Sequence, residues 1–352
     1  MPTSKAAIST NWKSRFTKKY LNMTGEQAGE KLNQILLRIE EIHELKLKND
    51  ATILSHYYMP PELQIETEDG GVADHTGDSL SLSMMGSKTN KKNIIFCGVK
   101  FMAETAHILN PTRKVFLPSP NAGCTLAESI NGTDVKMLKL KHPGVPVIAY
   151  INTNAETKAE CDIICTSRNA INIANSFESD TLIFVPDKYM GQNLVNLFKN
   201  ETNKKFILWS GSCVVHENFM ENISDMSRLQ PNAEVLLHWE VPGETVTNVL
   251  NNAKGMVGST ADIIRYVKES SSTDFILGSE CDLGATLKGK FPEKKFFTPC
   301  TYCSFMKEIT LLNTLETIKN IGTKNEDERL ITIPEELRQR AYIPLKRMMD
   351  LS

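Results

Sequence analysis

One grammar occurs three times in this chain: a lysine, an apolar strand, a small-residue turn, then a cysteine. It reads Lys114-Val-Phe-Leu-Pro-Ser-Pro-Asn-Ala-Gly-Cys124, Lys205-Phe-Ile-Leu-Trp-Ser-Gly-Ser-Cys213 and Lys294-Lys-Phe-Phe-Thr-Pro-Cys-Thr-Tyr-Cys303. The three cysteines stand 89 and 90 residues apart. An apolar run broken by Gly, Ser or Pro is how a buried strand ending in a functional loop reads. Self-similarity at a fixed period confines the chain to repeated copies of one supersecondary unit.

The period finds further matches upstream of each cysteine. Ile53-Leu-Ser-His56-Tyr-Tyr58, Val147-Ile-Ala-Tyr150-Ile-Asn152 and Val235-Leu-Leu-His238-Trp-Glu240 are apolar strands, each ending in a polar pair at i and i+2. That spacing sends both polar side chains to one side. Glu62, Glu156 and Glu244 each follow the first polar residue by six positions. Between pair and cysteine lies a small hydroxyl cluster, Gly77-Asp-Ser79, Thr166-Ser167 and Gly258-Ser-Thr260. Fifteen residues after each hydroxyl another apolar strand begins, at Ile94, Leu182 and Phe275. The expected fold is α/β, with three pseudo-threefold-related α/β/α units around a central site. Each unit is expected to hold a small parallel sheet of three strands. The expected boundaries are an arm and helix over 1–49, units over 50–135, 136–225 and 226–310, and helices over 311–352 packing back on the units.

With 352 residues, 41% hydrophobic and 23% charged, core burial is no obstacle. A net charge of −2 argues against a nucleic-acid or membrane surface as the main partner. No apolar run approaches the roughly eighteen residues that span a bilayer. Eight cysteines without a secretory signal indicate a reducing compartment, with thiols kept for metal or catalysis. Residues 1–20 are basic and hydroxyl-rich, a composition similar to a transit peptide. A disordered or loosely docked arm is the simpler expectation, and a cytoplasmic location goes with it, a plastid being the alternative. Helices are expected over Glu26–Asn49, after each hydroxyl cluster, over Phe305–Asn320 and over Glu335–Met349. Asp69-Gly-Gly71 reads as a flexible insertion.

Ser or Thr at a helix start caps exposed amides, and for a single cluster that is sufficient reason. Three clusters in register point instead to anion sites at helix N-termini. Three cysteines in corresponding places point to a shared metal site with one coordination position left open. A [4Fe–4S] cluster with three protein ligands and zinc with three cysteines and a water both fit. Cys97, Cys161, Cys165 and Cys281 have no triplicate counterpart, and core or loop roles suit them. Cys300 forms a Cys-x-x-Cys pair with Cys303, but the period selects Cys303. His43, His75, His107 and His142 fall outside the pattern, and Glu104 reads as a buried structural acid.

The stretches His56-Tyr-Tyr58-Met-Pro-Pro-Glu62, Gly77-Asp-Ser-Leu80, Phe96-Cys-Gly-Val-Lys-Phe-Met-Ala-Glu-Thr-Ala106, Gly123-Cys124-Thr, Tyr150-Ile-Asn152, Cys165-Thr-Ser167-Arg-Asn-Ala170, Trp209-Ser-Gly-Ser-Cys213-Val-Val-His216 and Gly258-Ser-Thr260 closely resemble the A-type quinolinate synthase family. The resemblance runs from about residue 50 to the end of the sequence. It implies condensation of iminoaspartate with dihydroxyacetone phosphate to quinolinate, with release of phosphate and two waters, on the way to NAD. Iminoaspartate would come from L-aspartate oxidase or dehydrogenase. It implies a [4Fe–4S] cluster on Cys124, Cys213 and Cys303, the last fixed by Cys303-Ser-Phe-Met306. It further implies substrate contacts from His56, Tyr58, Tyr150, Asn152, His216 and His238, and anion contacts from Ser79, Ser167 and Thr260. Glu240 would be the acid–base residue, with Tyr58 and His238 also catalytic. One departure is His238-Trp-Glu-Val241, where the family usually has His-Pro-Glu-Cys. A non-enzymatic iron–sulfur redox sensor and a zinc-dependent lyase are the alternatives.

Overall fold

Three parallel sheets carry the chain, and each repeats one strand order. The computed structural model describes residues 11–25, 31–199, 204–217, 220–252, 254–299 and 301–351. The first sheet holds β1 (Ala51–His56), β2 (His75–Gly77), β3 (Asn93–Cys97) and β4 (Lys114–Phe116), in the order β2-β1-β3-β4. The second holds β5 (Val147–Tyr150), β6 (Ile163–Cys165), β7 (Thr181–Val185) and β8 (Lys205–Leu208), ordered β6-β5-β7-β8. The third holds β9 (Glu234–His238), β10 (Gly255–Gly258), β11 (Asp274–Gly278) and β12 (Lys295–Phe297), ordered β10-β9-β11-β12. All nine pairings are parallel. In every sheet the polar-pair strand lies second and the cysteine strand lies at one edge.

Parallel sheets need both faces covered, so their inner strands read as unbroken apolar runs. All six residues of β1 and all five of β3 are buried. The third sheet shows the two faces separately. Val235, Leu237 and Ile276 belong to one buried cluster, while Leu236, Phe275 and Leu277 belong to another. The alternation is the two-residue period of a strand. The first two sheets share one continuous core with the C-terminal helix Glu335–Asp350, through Ala341, Leu345 and Met348.

Four expectations are corrected. Each sheet has four strands rather than three. The missed strands β2, β6 and β10 have only three or four residues each. Over Trp12–Thr24 the expected loose arm is a helix whose Trp12, Phe16, Tyr20 and Met23 are buried. Those four recur at helical spacing, so the segment docks by an apolar stripe; residues 1–10 lie outside the described part. Gly70 is no flexible link. It holds a left-handed φ of 86°, and a Cβ there would meet the Trp12 carbonyl oxygen at 2.4 Å. The helix expected over Phe305–Asn320 is two helices, Ser304–Lys307 and Leu311–Asn320, because Thr310 and Asn313 form a capping box that starts the second.

Candidate functional site

The C-terminal ends of the sheets deliver the polar pairs to one cavity. His56, Tyr150 and His238 are the last residues of β1, β5 and β9, where open parallel sheets present side chains to ligands. Tyr58, Asn152 and Glu240 follow two residues later. All thirteen candidate residues line this cavity: these six, Ser79, Ser167, Thr260, His216, Cys124, Cys213 and Cys303. Asp78 and Thr166 of the hydroxyl clusters line it too, as do Phe101 and Met102, which the sequence does not assign to the site.

Glu240 is the electrostatic centre of one wall. Tyr150 donates its hydroxyl to Glu240 Oε1 at 2.5 Å. His216 Nδ1 stands 3.0 Å from Oε2, and His238 Nδ1 stands 3.7 Å from Oε1. The two imidazoles stack at 5.0 Å. Burial raises the Glu240 carboxyl, but His216, His238 and the tyrosine hydroxyl outweigh it and hold the group below the usual carboxylate range. Burial pulls His238 down to about 4 and His56 to about 3, so both are neutral at pH 7. Tyr58 Oη lies 2.9 Å from Ser279 Oγ and 3.3 Å from Thr260 Oγ1, and burial raises its pKa.

The hydroxyls are not caps. Asp78 caps helix Ser79–Lys88 by accepting from the Ser81 amide, and Ser259 caps helix Thr260–Glu269 by accepting from Asp262. Ser79 and Thr260 therefore occupy the first helical position. In the second unit Asn169 precedes helix Ala170–Asn175, and its Oδ1 accepts from the Thr166 amide at 2.7 Å. Neighbours cap the helices of the first and third units, and in the second Ser167 lies two residues before Asn169, whose side chain makes no capping bond; the three site hydroxyls remain beside helix N-termini, where anions are favoured.

Each cysteine stands immediately before a one-turn helix: Thr125–Glu128, Val214–Glu217 and Ser304–Lys307. Burial is the main influence on all three thiols. It raises Cys124 to about 12 and raises Cys213 and Cys303 as well, while amides at the helix starts oppose it. Cys124 and Cys303 also repel one another's ionised forms, as do Cys213 and Cys124. Half-buried thiols lining one cavity, each offered backbone amides, are donors that a cationic group would ionise. Gly211 makes the approach of two of these loops possible, since a Cβ there would fall 2.2 Å from Ser129 Oγ. One further donor group exists: Cys213, His216 and Glu240 place one ligand atom each within 4.8 Å of one another.

Among the described residues the remaining thiols stay outside the cavity. Cys97, Cys161 and Cys165 are buried, and Cys281 lies 3.4 Å from Thr298 Oγ1. Cys300 falls outside the described residues. His43 is buried against the Gly71 carbonyl at 2.7 Å, and Glu104 is buried, accepting from the Ala155 amide at 2.8 Å. Among the described residues no helix is long and apolar enough to cross a membrane.

A family model described as quinolinate synthetase A protein matches residues 40–350. Relatives called quinolinate synthase include one from Sulfurihydrogenibium, 39% identical over 322 residues, 89% of this chain and 98% of its own. One from Clostridium kluyveri is 38% identical over 320 residues, 90% of this chain and 99% of its own. One from Caulobacter vibrioides is 37% identical over 318 residues, 89% of this chain and 81% of its own.

Proposed function

The chain belongs to the quinolinate synthetase A family, and from that premise we propose that its cavity condenses iminoaspartate with dihydroxyacetone phosphate to quinolinate. Phosphate and two waters leave, and the product serves NAD biosynthesis. The observation that carries this reading is the Glu240 carboxylate, held by Tyr150 and His216 in a cavity that three cysteines also face.

Cys124, Cys213 and Cys303 would hold a [4Fe–4S] cluster, and a donor set of three thiols lining one cavity suits it. When bound, the cluster supplies one iron without a protein ligand, a Lewis acid for loss of hydroxide as water. Glu240, ionised at neutral pH, takes protons from carbons beside imine and carbonyl groups and returns them. Tyr150 fixes which Glu240 oxygen faces the substrate. His216 Nδ1 stands 3.0 Å from the other oxygen and holds it in place. His56 and His238, neutral at pH 7, orient polar substrate atoms without adding charge. Tyr58, Asn152 and the hydroxyls Ser79, Ser167 and Thr260 receive carboxylate and phosphate oxygens at helix starts. Burial of His56, Tyr150, His216, His238, Glu240 and Thr260 keeps water from reactive imines.

The test is quinolinate formation by protein reconstituted without oxygen and given both substrates. Glu240→Gln keeps the size but cannot take a proton, and turnover falls by about 10²–10⁴ with iron content unchanged. A change of less than about threefold would mean that Glu240 only pairs with its neighbours. A zinc-dependent lyase is the second reading, favoured by the Cys213, His216 and Glu240 group. It requires a colourless protein carrying zinc and no iron or sulfide. A redox sensor has no use for the inward polar pairs.

A further inference from the structure

Lys307 closes the one-turn helix that follows Cys303, and its ammonium reaches three oxygens. It stands 3.0 Å from Glu280 Oε1, pairs with Asp282 Oδ2, and donates to the Tyr58 backbone carbonyl at 2.8 Å. Glu280 is fully buried; it caps helix Cys281–Lys290 and faces the Cys303 amide at 3.4 Å. The loop after β1 makes further contacts with the same helix. Gln64 donates to Met59 O at 2.5 Å and to Asp282 O at 3.4 Å, and accepts from Thr286. The segment bearing Tyr58 is thus bound to the third unit across more than 200 residues of sequence.

We infer that Lys307 is a positioning residue, fixing the Tyr58 loop against the loop that presents Cys303. The inference deepens the functional reading above and rests on Tyr58 and Cys303 belonging to one site. A single ammonium between two buried acids has a fixed location, because leaving would take that cation from both. Its third hydrogen bond then fixes the Tyr58 carbonyl. The Tyr58 hydroxyl, on the same residue, reaches Ser279 and Thr260 across the cavity. Any slack at the carbonyl displaces the hydroxyl, and small misplacements of contacting groups cost rate. Lys307 touches no reacting atom and acts through Tyr58.

Hydrogen exchange in the reconstituted protein tests this without depending on activity. The amides of Met59, Leu63 and Ile65 bond to His56, Pro60 and Pro61 within the loop. In Lys307→Met their exchange rises at least tenfold, whereas amides of β5 and β7 keep wild-type rates. Iron and sulfide stay at wild-type levels, kcat falls at least tenfold, KM for dihydroxyacetone phosphate moves less than threefold, and Lys307→Arg recovers part of the kcat. If Lys307→Met does not fold, the variant Lys307→Met/Glu280→Gln/Asp282→Asn removes the buried charges together and shows the same local rise. Unchanged exchange over 59–65 in whichever variant folds overturns the inference, as does a kcat loss that merely follows lost iron. If the wild type makes no quinolinate the functional reading fails, but the exchange measurement still decides the role of Lys307.

Discussion

The same structural task is done with neutral groups at one seam between units and with charges at another. Where the second unit meets the third, Asn193 on helix Lys188–Phe198 donates to Trp239 O at 2.8 Å and Val241 O at 2.9 Å. These carbonyls flank Glu240. Where the third unit meets the first, Lys307, pinned by Glu280 and Asp282, donates to Tyr58 O. At the remaining seam Glu104 on helix Lys100–Leu109 accepts from the Ala155 amide, three residues beyond Asn152. Each unit therefore supports the next unit's polar-pair loop, and the support closes into a ring. The repeat thus keeps a place of contact while leaving its chemistry free. A side-chain amide satisfies two carbonyls with no ion to desolvate, whereas an ion triad holds harder and is costlier to disrupt.

The largest loss is expected at the charged seam. Lys307→Met leaves two buried carboxylates unpaired, and unfolding free energy falls by about 3–5 kcal/mol, the range for breaking a buried pair. A loss below about 1 kcal/mol in urea titration would make the triad no stronger than an exposed pair. At the neutral seam Asn193→Ala strips two buried carbonyls of their donor and costs about 2–3 kcal/mol. The double variant sums the single losses to within about 0.5 kcal/mol, because the two seams share no partner. A larger discrepancy would show that the ring responds as a unit.

The smallest effect belongs to Glu104→Gln, within about 1 kcal/mol at pH 7, since the amide oxygen can still accept from Ala155. Its sign with pH is the sharper reading. Burial raises the Glu104 pKa above 4.5 against the pull of the Ala155 amide and Lys158. A raised carboxyl contributes stability in full below its unfolded value, and that contribution is lost as pH rises through the folded value. The wild type therefore loses stability from pH 4.5 upward more steeply than Glu104→Gln. Parallel slopes in the two proteins would contradict this.

The polar pairs, hydroxyls and cysteines were legible because each sits at a strand end and recurs at one interval. Strands β2, β6 and β10 were not. His75-Thr-Gly77 and Gly255-Met-Val-Gly258 are too short, and too poor in branched residues, to show a period. Trp12–Thr24 was misread because its lysines dominate the composition while its aromatic residues carry the packing. The seams escaped for a different reason: their partners are brought together only by the fold, as Lys307 and Tyr58 are. One signal was present. Glu104 and Asn193 stand 89 residues apart, the interval of the first two cysteines.

In the proposed function three cysteines, one from each unit, share one metal group. Iron, sulfide and zinc per chain, measured after anaerobic reconstitution of the wild type and of single Cys→Ser variants, test it most directly. About four irons and four sulfides are expected in the wild type. They should be lost in Cys124→Ser, Cys213→Ser and Cys303→Ser, and retained in Cys97→Ser, Cys161→Ser, Cys165→Ser, Cys281→Ser and Cys300→Ser. One ion lost only in Cys213→Ser, and kept in Cys124→Ser and Cys303→Ser, would place the metal on Cys213, His216 and Glu240 and contradict it.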